Sequence, residues 1–357
     1  MKKQNKIYKV LGIMSGTSFD GIDFCLADFQ VNKNEWSYNI LFSETIEYEN
    51  NWKEKILTIE KAAGADLIKL HFEYGQYLGK LSYDLLKKYN QDADLVASHG
   101  HTIFHQIDKG FTFQLGNGAS IAAASGITTV CDFRSLDVAL GGEGAPLVPF
   151  GDALLFSEYD CCINLGGIAN FSFQKEDARL AYDIAPANMV LNYLYKLEYQ
   201  GEYDDRGLIS KTGSFNKSLF SALNLNDYYA KHPPKSLGKE EVFEQIIPLI
   251  NKSNVSIADK LYTYSKHLAF QIAECITKNG INGPILITGG GAKNDFLMTL
   301  LKEYNLDIIF LEETITDYKE ALIFAFLGLN RFLKRNNTLK SVTGASKDSC
   351  SGSIFLQ

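Results

Sequence analysis

The sequence lacks long apolar runs: the longest, Ala321–Leu329 (ALIFAFLGL), is nine residues, against the roughly 20 that cross a bilayer. No membrane partner is expected. Clustered positive charge is missing too. The 35 Lys and Arg are scattered and outnumbered by 42 Asp and Glu, for a net charge of −7. Tracking nucleic-acid phosphates needs a basic face, so no nucleic-acid partner is expected. An anionic small molecule remains open, because one local pocket can supply the opposing charge. The six cysteines, Cys25, Cys131, Cys161, Cys162, Cys275 and Cys350, include no Cys-x-x-Cys pair, and the adjacent Cys161 and Cys162 point to opposite faces if they lie in a strand. Buried free thiols in a reducing compartment explain the set. The first residues are basic but show no apolar run with a small-residue cleavage site, so the expected location is cytoplasmic. Two nucleotide fingerprints are absent. No Gly-x-x-x-x-Gly-Lys-Ser/Thr occurs, which excludes a P-loop kinase, and GGGAKN after a strand is not the GxGxxG of a Rossmann dinucleotide site.

What is present suits a globular protein of two domains. A chain of 357 residues exceeds one comfortable core, and 46% hydrophobic against 22% charged residues is a folding rather than a disordered balance. Three places share a short apolar strand that runs into a turn of small residues. YKVLGIMSGTSFDGID (Tyr8–Asp23) is followed by FCLADF as a returning strand. CCINLGGIANFSF (Cys161–Phe173) turns at Gly166 and Gly167. GPILITGGGAKN (Gly283–Asn294) ends the strand Ile285–Thr288 in three glycines, before a helix from about Asp295. Glycine in such turns supplies positive φ and lets backbone N–H groups approach a ligand. Helical periodicity marks 52–63, 67–88, 189–197, 256–278 and 319–333. Alternating strands and helices imply an α/β protein with largely parallel sheets. No Pro- or Ser-rich linker occurs, so the domain junction is structured. The recurrence of strand–glycine turns in both halves is compatible with a duplicated core.

An ATP site needs backbone donors around the phosphates, a carboxylate to hold magnesium and a surface for the nucleoside. Ser15–Asp23 offers small hydroxyls, two glycines and two carboxylates within nine residues; its bland alternative is a polar hairpin turn. Asn164–Asn170 and Gly289–Ala292 could each be an ordinary strand–turn corner. Taken together, the three stand in the order of actin-like ATPases: first phosphate hairpin, second phosphate hairpin, adenosine loop.

GIMSGTSFDGID (Gly12–Asp23) resembles the opening signature of the anhydro-N-acetylmuramic acid kinases, members of the actin, hexokinase and heat-shock-chaperone superfamily. The resemblance recurs in order along almost the whole chain, in SHGHTIFH (Ser98–His105), TFQLGNGASIA (Thr112–Ala122), CDFRSLDVALGGEGAPLVP (Cys131–Pro149), INLGGIAN (Ile163–Asn170), YDIAPAN (Tyr182–Asn188), KSLGKE (Lys235–Glu240), ITGGGAKN (Ile287–Asn294), EALIFA (Glu320–Ala325) and SVTGAS (Ser341–Ser346). It implies a two-domain actin-like ATPase (ribonuclease H-like) α/β fold with a central interdomain cleft that closes over its ligands. The expected domains are 1–135, with the first phosphate hairpin, and 136–357, with the second phosphate turn and adenosine loop, the C-terminal tail packing back on the first. It further implies ATP and Mg2+ as cofactors, a homodimer, and a role in murein recycling. In the family reaction ATP phosphorylates O6 of 1,6-anhydro-N-acetylmuramic acid while water opens the anhydro bridge at C1.

By the same resemblance Asp183 is the base that takes the proton of that water. The chain departs from the family pattern around it: Ile184 replaces Thr, and Ala185 and Ala187 replace Gly, which Ala matches less well if positive φ is needed. An ordinary turn or cap role is the alternative for Asp183. The phosphate cradle falls to Gly16, Thr17, Ser18, Phe19, Gly21, Ile22, Gly166 and Gly167, and the adenosine loop to Gly289, Gly290 and Gly291. Asp20 and Asp23 are the candidates to hold Mg2+, directly or through water. Arg134 suits the lactyl carboxylate of the sugar, or else an ion pair with Asp132 or Asp137. Glu320, read as opening a helix, suits the sugar hydroxyls or else a helix N-terminus. His99, Thr102, Asp132 and Asn188 complete the expected sugar site. The family has Gln at the place of His101, so a zinc site built from His99, His101 and His105 would not be a family trait. Two other readings share the nucleotide motifs: an actin- or chaperone-like ATPase, and a catalytically impaired sensor of muropeptide sugars.

Overall fold

In β1 (Ile7–Ser15) the residues Val10, Leu11 and Ile13 are fully buried, as a strand inside a sheet covered on both faces requires. β2 (Ile22–Asn32) returns antiparallel to it and β3 (Glu35–Ile46) pairs antiparallel with β2. β3 alternates partly buried and exposed side chains over its first half, the pattern of an edge. β4 (Leu95–Gln106) lies parallel on the other side of β1, β5 (Phe111–Leu115) folds back on β4, and β6 (Thr129–Cys131) continues parallel. The structure is a computed structural model and describes residues 6–16, 21–32, 35–233 and 235–357. Among these the sheet runs β12-β6-β4-β1-β2-β3, with β12 (Ser353–Phe355) antiparallel to β6.

A second sheet repeats this order. β7 (Cys161–Leu165), β8 (Ile168–Lys175), β9 (Ala178–Pro186), β10 (Ile285–Thr288) and β11 (Ile308–Ile309) are arranged β11-β10-β7-β8-β9. Here too the first three strands are antiparallel, and the fourth and fifth run parallel to the first. The expectation of largely parallel sheets is therefore corrected. Hairpins join the first three strands of each sheet, and only the later strands arrive through helical crossovers that permit parallel pairing.

The chain divides into two units, Met1–Leu155 with Tyr318–Gln357, and Phe156–Asp317. The boundary therefore lies beyond the expected residue 135. The reason is local: α4 (Ser135–Ala139) and α5 (Val148–Leu155) belong to the first unit, where Phe150 stacks on Phe326 at 5.8 Å. The first core gathers side chains of β1, β2, β4, α1 (Asn50–Thr58) and α2 (Gly64–Lys88), with Ile121 of α3 (Gly118–Ser125). The second gathers β7–β10 with α6 (Asn188–Lys196), α7 (Lys217–Asn224), the helical stretch of α8 (Lys239–Glu241), a π turn and α9 (Ile247–Asn251), α10 (Ile257–Lys278) and α11 (Asp295–Lys302).

α12 (Glu313–Phe332) holds the longest apolar run, and Ala321–Leu327 is 0–1% exposed. A helix apolar all round is a buried helix, and no described helix is long and apolar enough to cross a membrane. A short α13 (Lys340–Thr343) follows. Close approach makes Gly12 obligatory, because a Cβ there would overlap the Ala321 carbonyl of α12. Gly12→Val should lower the unfolding free energy by about 3 kcal/mol, the upper range for overpacking. An unchanged denaturant midpoint would show that the helix can retreat. None of the six cysteines forms a disulfide, and burial raises the thiols of Cys25 and Cys131 to about 12.

Candidate active site

In the first unit, a glycine kink in β4 distributes its histidines. Gly100 has φ +73°, and the β1–β4 register slips between the pairs Ile13–Ser98 and Ser15–His101. His99 donates from Nδ1 to the Gly100 carbonyl (2.8 Å), and its Nε2 accepts from Arg134 Nε (3.0 Å). This places its proton on Nδ1, and burial, reinforced by Arg134, holds the ring neutral, well below the usual histidine range. His101 instead lies 3.2 Å from Ser15 Oγ, within a buried cluster that includes the Tyr48 and Tyr74 hydroxyls; burial lowers it to about 4. His105 meets Thr112 at 3.1 Å. The three histidines thus hydrogen-bond to different groups.

Arg134 also donates from Nη1 to the Gly144 carbonyl (2.7 Å), so its fork is fixed by His99 and a loop rather than by an Asp132 pair. Burial lowers the guanidinium to about 10, while Glu320 and Asp137 work against that shift. Asp137 is wholly buried and accepts from Gly144 N (2.8 Å) and Thr343 Oγ1 (2.7 Å). Asp132 sits at φ +57°, outside the usual range for a side-chain-bearing residue, with Ser135 Oγ donating to its carboxyl, which burial raises. Glu320 keeps solvent contact, yet burial raises its carboxyl, Arg134 opposes this, and the Asp23 carboxylate raises it further. Glu320 is the eighth residue of α12, not its first turn, so the helix-terminus reading is corrected. Lys319 beside it forms a buried ion pair with Asp152 at 2.7 Å. Asp23 is the second residue of β2 and accepts from Thr45 Oγ1 at 2.6 Å. Thr102 accepts from Gln114 Nε2 at 3.4 Å.

In the second unit, β9 approaches Asp183 through a bulge. Ala169 faces Ala185 and Asn170 faces Asp183, so Ile184 is the extra residue. Asn170 Nδ2 donates to Asp183 Oδ1, and Leu237 N donates to Oδ2 at 2.8 Å. The Asp183 main chain is held as well, N to the Lys235 carbonyl (3.2 Å) and O from the Tyr228 hydroxyl (2.6 Å). Burial raises the half-buried Asp183 carboxyl, while Leu237, Asn170 and Lys235 pull it back. Lys235 lies over the Tyr228 ring at 4.5 Å, and burial lowers its ammonium. The alanines beside Pro186 do not use positive φ. Ala185 is a strand residue and Ala187 has φ −117°, so neither needs the left-handed region.

The turn at Gly166 and Gly167 is tied to α6, since Ala187 N donates to the Gly167 carbonyl (2.8 Å) and Asn188 N to that of Gly166 (3.1 Å). Neither glycine has positive φ, and a Cβ at either would meet nothing closer than 3.5 Å. The positive-φ expectation is corrected there: the fold itself makes no demand for glycine at either position. Gly289 does use φ +84°. Asn188 donates to the Leu165 carbonyl at 3.1 Å, and its Nδ2 lies within 4 Å of the Cβ positions of Gly290 and Gly291, so it stands between the two turns.

The structure thus links Arg134 to His99 directly and to Glu320 electrostatically, and Glu320 to Asp23, in the first unit, while Asp132 contacts Ser135. In the second it brings Gly166, Gly290 and Gly291 to Asn188, while Asp183 has partners of its own on β8 and in the segment 228–237. Gly16, Gly21 and Ile22 flank the first hairpin, while Thr17, Ser18, Phe19 and Asp20 lie outside the described residues. The supports of Asp183 from Asn170, Tyr228, Lys235 and Leu237 were not foreseen. The last three lie 45, 52 and 54 residues from it, and only the Lys235–Glu240 block hinted at them.

Two sheets that repeat one ribonuclease H-like order, each with a glycine directly after its first strand, define the actin-like ATPase class. Within it the chain belongs to the anhydro-N-acetylmuramic acid kinase family, whose family model matches residues 8–357. A curated relative of that name from Synechococcus elongatus is 34% identical over 98% of this chain and 100% of its own length. Another, from Clostridioides difficile, is 32% identical over 96% and 97%. Membership makes the chain a sugar kinase, a phosphotransferase that uses ATP. Among solved structures, component A of (R)-2-hydroxyglutaryl-CoA dehydratase from Acidaminococcus fermentans aligns with 91% of this chain and 98% of its own at 11% identity and a TM-score of 0.46, too loose to inform function.

Proposed function

We propose that the protein converts 1,6-anhydro-N-acetylmuramic acid and ATP to N-acetylmuramic acid 6-phosphate and ADP, with Asp183 as the general base. The observation that carries this is the Asp183 carboxyl, half-buried, raised by its surroundings and gripped through both oxygens. A base of this kind takes a proton from water as the water oxygen bonds to C1. The C1–O6 bond breaks, O6 attacks the γ-phosphorus, and ADP leaves. The proton passes from Asp183 to solvent after turnover.

Phosphoryl transfer is mostly positioning and charge neutralisation. The N–H groups of the Gly166–Gly167 turn suit the phosphates, as do Gly16 and Gly21, and Gly289–Gly291 suits the adenosine. Mg2+ would neutralise phosphate charge and keeps several waters, needing only one or two carboxylates. Asp23, a half-buried carboxylate beside Glu320, fits that role. Arg134, pre-oriented by His99, suits the lactyl carboxylate, and Glu320 the sugar hydroxyls. A homodimer, to be measured by light scattering, and a cytoplasmic role in murein recycling complete the reading.

ADP release with and without the anhydro sugar tests it. Release that depends on the sugar is expected. Hydrolysis indifferent to sugar would indicate an actin- or chaperone-like ATPase, and sugar binding without turnover an impaired relative. Because Asp183 must be ionised to act and its carboxyl is raised, kcat/KM should fall on acidification above the ordinary aspartate value of about 3.9. An acid limb at or below that value would contradict the assignment.

A further inference from the structure

We infer that Asn170 is a positioning residue for the reaction, holding one oxygen of Asp183 against the Leu237 N–H on the other so that the carboxylate meets water at one fixed tilt. The inference rests on the reading of Asp183 as base. In a regular antiparallel ladder the pair Ala169–Ala185 would be followed by Asn170 opposite Ile184. The bulge removes Ile184 from the count and sets Asn170 opposite Asp183. Bulges re-aim side chains in this way beside active sites, and a slip of one residue would turn Asp183 to the other face of the sheet.

The division of labour is specific. Leu237 N takes Oδ2, and Lys235 and Tyr228 take the main chain of Asp183, so the segment 228–237 fixes where the residue is. It leaves the rotation of the carboxylate about Cβ–Cγ to be settled by the second oxygen. The Asn170 amide on Oδ1 settles it, from β8, three residues beyond the Gly167 turn. Each carboxylate oxygen accepts more than one hydrogen bond, so donors on both oxygens leave lone pairs for the reacting water. A donor to the ionised form also holds the carboxyl down against burial.

The test uses the full-length protein with ATP and the anhydro sugar. Asn170→Leu removes the donor while keeping the branching of the side chain and should move the acid limb of kcat/KM up by about one pH unit, as expected for one lost bond to a charged group. kcat should fall about tenfold while KM for ATP stays within about twofold. Asn170→Asp keeps the shape, sets a second carboxylate against the first, and should move the limb further in the same direction. This variant keeps the question open to test if the leucine does not fit the strand. A limb that stays in place in a folded variant, with activity lost or kept, overturns the positioning role. Asp183→Asn separates the two layers: if it still turns over, the base reading falls and this inference with it; if it is inactive and the limb is unmoved in the Asn170 variants, only this inference falls.

Discussion

Asp183→Asn is expected to lower kcat by about 10²–10⁴-fold, the range that general-base catalysis supplies, while leaving ATP affinity within about a factor of two. The change is nearly isosteric. The variant amide can still accept from Leu237 N through its oxygen, and the Asn170 amide can rotate to offer its own oxygen to the new NH2, so β8 and β9 keep their pairing. What is lost is a group able to take a proton. Nucleotide contacts should persist, because the Gly166–Gly167 turn is tied to α6 through Ala187 and Asn188, not through the carboxylate. Calorimetric titration with a non-hydrolysable ATP analogue and steady-state ADP release check the two halves. A variant at near wild-type rate would remove Asp183 as the base.

The largest effect on stability is expected at Lys319 and Asp152. Their side chains are 6% and 4% exposed and pair at 2.7 Å. Desolvating two charges costs nearly what the attraction returns, so the pair adds little by itself. Removing one partner is another matter, because the remaining charge stays buried and loses its ion pair. Asp152→Ala should lower stability by about 3–5 kcal/mol, on the order of 10 °C in Tm for a unit of this size. The double change Asp152→Leu with Lys319→Met should recover most of that loss. A single variant that melts with the wild type would mean that water reaches the pair. The expected consequence for function is local: Lys319 fixes the rotation of α12 next to Glu320, so the single variant should raise KM for the sugar even below its melting temperature.

Much of this was legible in residue order. The glycine turns marked the ends of β1, β7 and β10, since a strand that runs into small residues leaves few other choices, and 256–278 matched α10, where the Ser256 hydroxyl accepts from Asp259 N at 3.1 Å. The ordered blocks led to the family that residues 8–357 match. Other features depend on pairing across the fold. The β1–β2 and β7–β8 hairpins look the same in sequence whether the sheet beyond them is parallel or mixed. The start of α12 at Glu313 rather than 319 was hidden because its first turns are polar. Alanine in place of glycine at 185 and 187 suggested a changed loop, yet the bulge at Ile184 keeps both residues out of the left-handed region. The support of Asp183 by Asn170 follows from that bulge, and no local pattern announces a bulge.

The claim that Asp183 activates the water that opens the sugar is tested most directly by a crystal structure with 1,6-anhydro-N-acetylmuramic acid and a non-hydrolysable ATP analogue. The account predicts an ordered water between the Asp183 carboxylate and C1, roughly 3 Å from the carboxylate oxygen, on the side of C1 away from the bridging O6. A carboxylate turned from C1, or a water aimed instead at the γ-phosphorus, would contradict it.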